Sequence, residues 1–366
     1  MKSALILATT ILMTLPASSA IAADVTPPDA EKRPHVVKAP HGAERNDEYY
    51  WLRDDEREDK AMLAYLEAEN AYADQVMAPL RPLEDALYGE IVGRIKQDDS
   101  SIPARERGWW YYARYETGKD YPIHARRKDG PGVDALSIQQ ANERGEFAGE
   151  QVLLDVNVLA EGKDYYAVGA YEVSQDNNVL AWADDTNGRR QYTFRFRDLA
   201  TGKAYPEELR GTSGDLVFAD DNRTVFYVEN DPETLLTKRV KRHVIGTDPR
   251  DDVVVYERPD RAAWGYGVSV TSDGDYLVVT AREGSDPRNH VFVRDLRTPG
   301  SPVAPLREAD AAYTFLGSEG RTFWFYTDRD APLGREVPGA SGVAGEIDTV
   351  VERVNGVIPA GGAVLL

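Results

Sequence analysis

The chain has 366 residues, no cysteine and a formal charge of −19 at pH 7, with an isoelectric point near 4.8. Without cysteine it offers no disulfide, no thiolate nucleophile, no Cys-ligated zinc and no site for a lipoprotein anchor. Its acidity argues against nucleic acid as a partner, because the chain would repel phosphates rather than release their counterions, and favours cationic partners.

Residues 1–23 read as a secretory signal peptide. Lys2 supplies a charged start, Ala4 to Leu15 is an apolar run, and small residues suit a cut between Ala20 and Ala23. The run is shorter than the ~20 residues that span a bilayer, so the chain is expected to be exported to the periplasm and free of the membrane once cleaved. Residues 24–103 read as a linker and helical arm. Pro27, Pro28, Pro34 and Pro40 make its start extended. Helical spacing then runs from Asp59 to Met77 (Met62, Leu66, Ala73, Met77), and Pro79 stops it. A second helix is expected from Leu83 to Arg94, with Leu83, Leu87 and Ile91 on one stripe. The apolar faces need a partner larger than the arm itself.

Residues 104–335 repeat. The stretch Val173 to Leu199 reads as strand, Asp-Asn turn, strand, loop, strand, and the turn-plus-strand unit recurs. Asn177 precedes Val179, Asn222 precedes Thr224-Val-Phe-Tyr-Val228, Gly274 precedes Tyr276-Leu-Val-Val279, Gly320 precedes Thr322-Phe-Trp-Phe-Tyr326, and Gly108 precedes Trp109-Trp-Tyr-Tyr112. The steps from Asn177 to Asn222, Gly274 and Gly320 are 45, 52 and 46 residues. Asp176 to Asp198 and Asp273 to Asp295 are both 22 residues apart, each ending in Arg-Asp-Leu. A period of roughly 40–50 residues with about four short strands indicates β-propeller blades. The first blade holds Trp109 to Tyr115, Tyr121 to Arg127 and Val152 to Leu154, with Gly130 to Gly149 as a long loop. The second runs from about Tyr165 to Lys203, the third from Asp215 to Glu257, the fourth from Gly265 to Arg297, and a fifth begins near Tyr313. Residues 336–366 are rich in glycine and remain unassigned.

Several stretches resemble oligopeptidase B, a basic-residue-cleaving branch of the prolyl oligopeptidase family of serine peptidases. They include Tyr49-Tyr-Trp-Leu-Arg-Asp54, Ala64-Tyr-Leu-Glu-Ala-Glu-Asn-Ala-Tyr72, and Ile91-Val-Gly-Arg-Ile-Lys-Gln-Asp-Asp-Ser-Ser-Ile-Pro103. Gly118 to His124, Leu153 to Gly162, Arg190 to Phe194 and Thr327 to Pro332 continue the likeness in order, over roughly His35 to Arg335. The resemblance implies an N-terminal arm, a seven-bladed propeller that admits short or unfolded peptides, and an α/β-hydrolase domain after it, on which the arm packs. That domain carries the Ser, Asp and His of the triad and the acidic residues that hold a basic side chain. The expected fold is therefore all-β: an incomplete propeller of about five of seven blades behind a short α-helical arm, with the hydrolase domain absent. Blades cut from such a ring would leave two apolar faces open.

No catalytic, cofactor-binding or metal-binding residue is assigned. The nucleophile pattern Gly-x-Ser-x-Gly does not occur; Gly211-Thr-Ser-Gly214 and Gly339-Ala-Ser-Gly342 come nearest and read as turns. His35, His41, His124, His243 and His290 form no close ligand set, and His124 and His290 read as ordinary blade residues. The run Lys238-Arg-Val-Lys-Arg-His243 reads as outward-alternating residues beside Asp251 and Asp252, and Trp109 to Tyr112 as sheet-face aromatics. The expected function is the propeller part of a serine-type endopeptidase cutting short peptides after Arg or Lys, a fragment inactive by itself. Two alternatives stand beside it: an exported, non-enzymatic propeller that binds a peptide or protein, and one half of a split peptidase completed by a separate hydrolase-domain chain.

Overall fold

The computed structural model describes residues 26–330 and the strand Arg335–Ala340. It divides into two units between Lys96 and Gln97.

In the first unit a short hairpin, β1 (Val36–Lys38) and β2 (Glu44–Asn46), precedes helices α1 (Lys60–Met77) and α2 (Arg81–Gly93). The Asp59 carboxylate caps α1 by accepting the Ala61 and Met62 amides. Upstream, Asp54 accepts the amides of Glu56, Glu58 and Asp59, and these bonds hold its carboxyl below the ordinary range. Pro79 does stop α1, but only a single 3-10 turn, Ala78–Leu80, separates the helices, and Pro82 sits in the first turn of α2. A proline there has no amide to leave unbonded, so α2 starts two residues earlier than Leu83. The stripe Leu83, Leu87 and Ile91 is exposed on α2.

The second unit is a succession of antiparallel sheets. The first blade comprises β3 (Ala104–Glu106), β4 (Trp109–Arg114), β5 (Ile123–Lys128) and β6 (Glu150–Asp155), with helix α3 (Ala135–Glu143) between β5 and β6 and a short α4 (Val156–Ala160) after them. Then come β7 (Ala167–Val173), β8 (Val179–Asp185) and β9 (Tyr192–Asp198), followed by β10 (Leu209–Phe218), β11 (Thr224–Asn230), β12 (Thr237–Val244) and β13 (Val253–Glu257). The fourth blade is β14 (Trp264–Val270), β15 (Tyr276–Glu283), β16 (His290–Asp295) and β17 (Ala304–Arg307). Last are β18 (Tyr313–Glu319), β19 (Thr322–Thr327) and β20 (Arg335–Ala340). β20 pairs along β19, so regular structure reaches into the stretch left unassigned from sequence; the rest of that stretch, 341–366, lies outside the described residues, as do residues 1–23.

The residues that set the period all adopt a left-handed backbone: Gly108 (φ 78°), Asn177 (64°), Asn222 (60°), Gly274 (75°) and Gly320 (56°). Gly, and Asn at modest cost, accept that geometry most readily, which is why the turn repeats in sequence as well as in space. Ser174 and Thr271 complete two of these turns in the same way. Each hydroxyl donates to the aspartate two residues on, at 2.6 Å, and accepts the amide five residues on.

One blade boundary differs from the sequence reading. β9 pairs with the start of β10 (Phe194 with Leu209, Tyr192 with Thr212), while the rest of β10 pairs with β11. The second and third blades thus share a strand and form one seven-stranded sheet. An irregularity between Thr212 and Leu216 turns β10 from one blade to the next. Gly214 (φ 96°) sits in it against the Tyr192 ring, which also covers Gly169; a Cβ at Gly169 would come within 2.3 Å of that ring.

The core lies between blades, in layers. Leu154, Val173, Leu180 and Trp182 fill the first interface; Ala181, Phe194, Phe196, Val225 and Tyr227 the second; Phe226, Val228, Trp264, Leu277 and Val279 the third; Tyr276, Val291, Val293, Phe323 and Phe325 the fourth. Burying one such side chain stabilises by about 1.5–3 kcal/mol. The expected open face of the first blade is covered. The stretch 130–149 is not a plain loop: its helix α3, closed by an Asp134–Ser137 capping box, packs Ile138 against Tyr112 and Ala125. On β19, Trp324 and Tyr326 remain exposed.

Candidate functional site

The first strands of neighbouring blades, β7, β10 and β14, run beside one another, so their exposed residues face a common space. Glu106 on β3 and Glu172 on β7 carry carboxylates into this region. Glu172 is open to solvent yet ringed by protein; desolvation, with the Glu106 charge adding to it, raises its carboxyl above the ordinary range. Arg107 (φ 44°) pairs with Glu106 at 3.0 Å and donates to the Gln175 side chain and the Val173 carbonyl, tying the first blade to the second. Next to Glu172, the Tyr171 ring lies tilted against His124, with centroids 4.7 Å apart, and burial lowers the His124 pKa. The arrangement can attract and hold a cationic group, but it contains no nucleophile–base pair.

None of the described histidines hydrogen-bonds a serine. His290 faces Glu308 at 3.1 Å and the Trp264 ring, and His35 stacks on Tyr50. Gly211 to Gly214, read as a turn from sequence, lie instead within β10 at its irregularity, where Ser213 donates to Asp215; Ser341 lies outside the described residues. No group of three or more His, Asp or Glu able to hold a metal ion occurs among the described residues. Trp109 to Tyr112 alternate between two packed faces: Tyr111 meets the second blade, whereas Tyr112 is buried under α3 with its hydroxyl 2.8 Å from Glu150.

His243 contradicts the outward reading of the run Lys238–His243. It is fully buried, its Nδ1 donating to Asp252 Oδ1 at 2.7 Å. The middle strand of a blade is covered on both faces, so alternation does not send half of its residues to water. Arg126 was likewise not singled out from sequence. The residue is 2 % exposed, and its guanidinium lies over the Trp109 ring and donates to Gln151 and to the Asn177 carbonyl at the next blade's turn. The available signal was its place in the centre of β5, an inner strand where a basic residue between packed faces has to find partners.

Comparison with known proteins agrees with this architecture. Residues 28–338 match the prolyl oligopeptidase N-terminal β-propeller domain. The chain is 61% identical over 313 residues to dipeptidyl aminopeptidase BI of Pseudoxanthomonas mexicana, covering 85% of this chain and 43% of that protein. Protease 2 of Moraxella lacunata is 29% identical over 77% of this chain and 38% of its own length. Among solved structures, oligopeptidase B from Leishmania major superposes with a TM-score of 0.74 at 26% identity, over 86% of this chain and 44% of that one. The chain thus spans less than half the length of these relatives. With the match running through arm and blades alike, the chain belongs to the prolyl oligopeptidase family of peptidases and carries their N-terminal propeller domain.

Proposed function

We propose that this chain forms the propeller side of an exported serine peptidase that cuts short peptides. The catalytic Ser, Asp and His would come from a hydrolase half corresponding to the remaining length of the relatives. The observation that carries this reading is the 61% identity to a dipeptidyl aminopeptidase across nearly the whole propeller. The propeller binds and filters; it does not itself attack the peptide bond. Hydrolysis needs the second half of the enzyme, continuous with these residues or on another chain, and residues 1–366 alone are inactive. In the complete enzyme a serine attacks the carbonyl, a histidine takes its proton and an aspartate orients that histidine.

Charge supports a cationic substrate. With 62 acidic against 43 basic residues, the chain steers positively charged peptides towards itself, and Glu106 and Glu172 lie on the first strands. Two substrates have that charge in different places. Cleavage after Arg or Lys, as the likeness to oligopeptidase B suggests, puts it on a side chain. Removal of amino-terminal dipeptides, as the name of the 61%-identical relative suggests, puts it on a free α-amine. A pair of fluorogenic amides separates them, one an N-blocked substrate ending in Arg and the other an unblocked dipeptide. Both are assayed with the complete enzyme and with residues 1–366 alone, using a serine-directed covalent inhibitor as control. Turnover of only the unblocked dipeptide favours the aminopeptidase. Labelling of a serine within residues 1–366 would overturn the division of labour. Export is proposed on residues 1–23, and amino-terminal sequencing of secreted protein starting near Ala20 to Ala23 would support it.

A further inference from the structure

Between the third and fourth blades a cavity of about 470 Å³ opens at the end where the strands turn. Arg242 on β12 and Arg294 on β16 line it from opposite blades. Arg242 lies across from Phe226 in the register and Arg294 across from Leu277, and both of those residues belong to the apolar layer between these blades. The two guanidinium groups therefore meet at the rim of that layer. Neither has a hydrogen-bond or ion-pair partner among the described residues, and the buried Nε of Arg294 is unbonded. Burial, with the Arg242 charge adding to it, pushes the Arg294 guanidinium below the ordinary arginine range.

Five aspartates line the same cavity, and four of them are held by other donors. Asp221 accepts the amide and hydroxyl of Thr224, Asp273 holds the Thr271 hydroxyl, and Asp275 and Asp295 are both paired to Arg297 at 2.9 Å. Asp220 alone has an uncommitted carboxylate, and it is exposed and turned against Gly274. Two facing arginines with no acid hydrogen-bonded to either are an arrangement that costs free energy unless an anion lies between them.

We propose that this cleft binds a small oxyanion, a phosphate or carboxylate group, held between the forked donors of Arg242 and Arg294. The test uses the full 366-residue chain. Inorganic phosphate and succinate are titrated separately by calorimetry at fixed ionic strength, and thermal unfolding is followed with and without each. One anion should bind per chain, and Arg242→Gln and Arg294→Gln should each weaken it at least tenfold. Without anion, each variant should melt at the same or a higher temperature than the parent, since one of two facing like charges is gone; ordinary structural arginines would give the opposite sign. Saturation by phosphate alone or by succinate alone identifies the ligand class. The proposal is overturned if neither anion saturates the chain below about 10 mM, if both variants bind undiminished, or if both variants melt lower in the absence of anion.

Discussion

The His243 imidazole offers the sharpest test of how the second and third blades are held together. It lies parallel to the Phe196 ring, 5.9 Å away, with Nδ1 at Asp252 and Nε2 3.9 Å from Glu207 Oε1. Asp252 also accepts the Tyr227 hydroxyl at 2.8 Å, and Glu207 accepts the Gly246 amide at 2.6 Å. The carboxylate side chains are 1 % and 4 % exposed. His243→Phe keeps the ring and its stacking but removes the donor, leaving Asp252 buried with Tyr227 alone. Losing the hydrogen bond to this buried carboxylate costs about 1.5–3 kcal/mol, and the Asp252 charge left short of a donor adds its desolvation penalty. Tyr227→Phe removes only one hydrogen bond to a charged group, about 1.5–3 kcal/mol. The expected order of stability is therefore parent, then Tyr227→Phe, then His243→Phe. Adding Asp252→Asn to His243→Phe should recover part of the loss, because the orphaned charge goes with it. Urea unfolding at pH 7.5, followed by tryptophan fluorescence, reads all four proteins. If His243→Phe stays within about 1 kcal/mol of the parent, or if the two substitutions simply add, the cluster is not a coupled hydrogen-bonded unit and this reasoning fails.

Three further outcomes follow from the same packing. Tyr266 is buried with an unbonded hydroxyl, and burial lifts its pKa to about 12 from 10.0. Its neutral form is thus retained in the fold, and the associated stability is full below pH 10 and lost as pH rises to 12; Tyr266→Phe should flatten the fall in urea midpoint between pH 9.5 and 11.5, and an unchanged fall would count against the assignment. Gly274→Ala forces a side chain into a left-handed turn, 2.6 Å from the Asp220 Cγ, and should cost at least about 1 kcal/mol in urea unfolding. Arg126→Lys should destabilise nearly as much as Arg126→Met, since an ammonium cannot cover the Trp109 ring and reach both Gln151 and the Asn177 carbonyl; full rescue by Lys in thermal melts would refute this.

The blades were legible because their turns demand a residue type. A left-handed residue favours Gly or Asn, and positions 108, 177, 222, 274 and 320 all carry one of the two, so the three-dimensional period is written directly in the sequence. The family was legible for a different reason, in the long ordered likeness from the arm onward. Helix α3 was not seen, although Asp134 and Ser137 form its cap and Ile138 and Ala141 its buried side, because the glycines around it dominated the reading of the stretch 130–149. The shared strand β10 could not be seen. Its pairing with both β9 and β11 depends on where an irregular backbone changes register, which side-chain pattern does not encode.

The candidate sites were the least legible part, and the reason lies in the architecture. An ordinary two-layer sheet has one dry face, so a charged residue within a strand is first read as pointing to water. A blade has neighbours on both faces, and each charged residue in a middle strand has to be satisfied inside. Arg126 meets this demand by reaching the next blade's turn, and His243 by gathering Asp252. Arg242 and Arg294 occupy equivalent third strands of their blades and face each other with neither solution in place. The same rule that makes Arg126 and His243 structural therefore singles out this pair: between blades, a charge left without its protein partner points to a partner from outside.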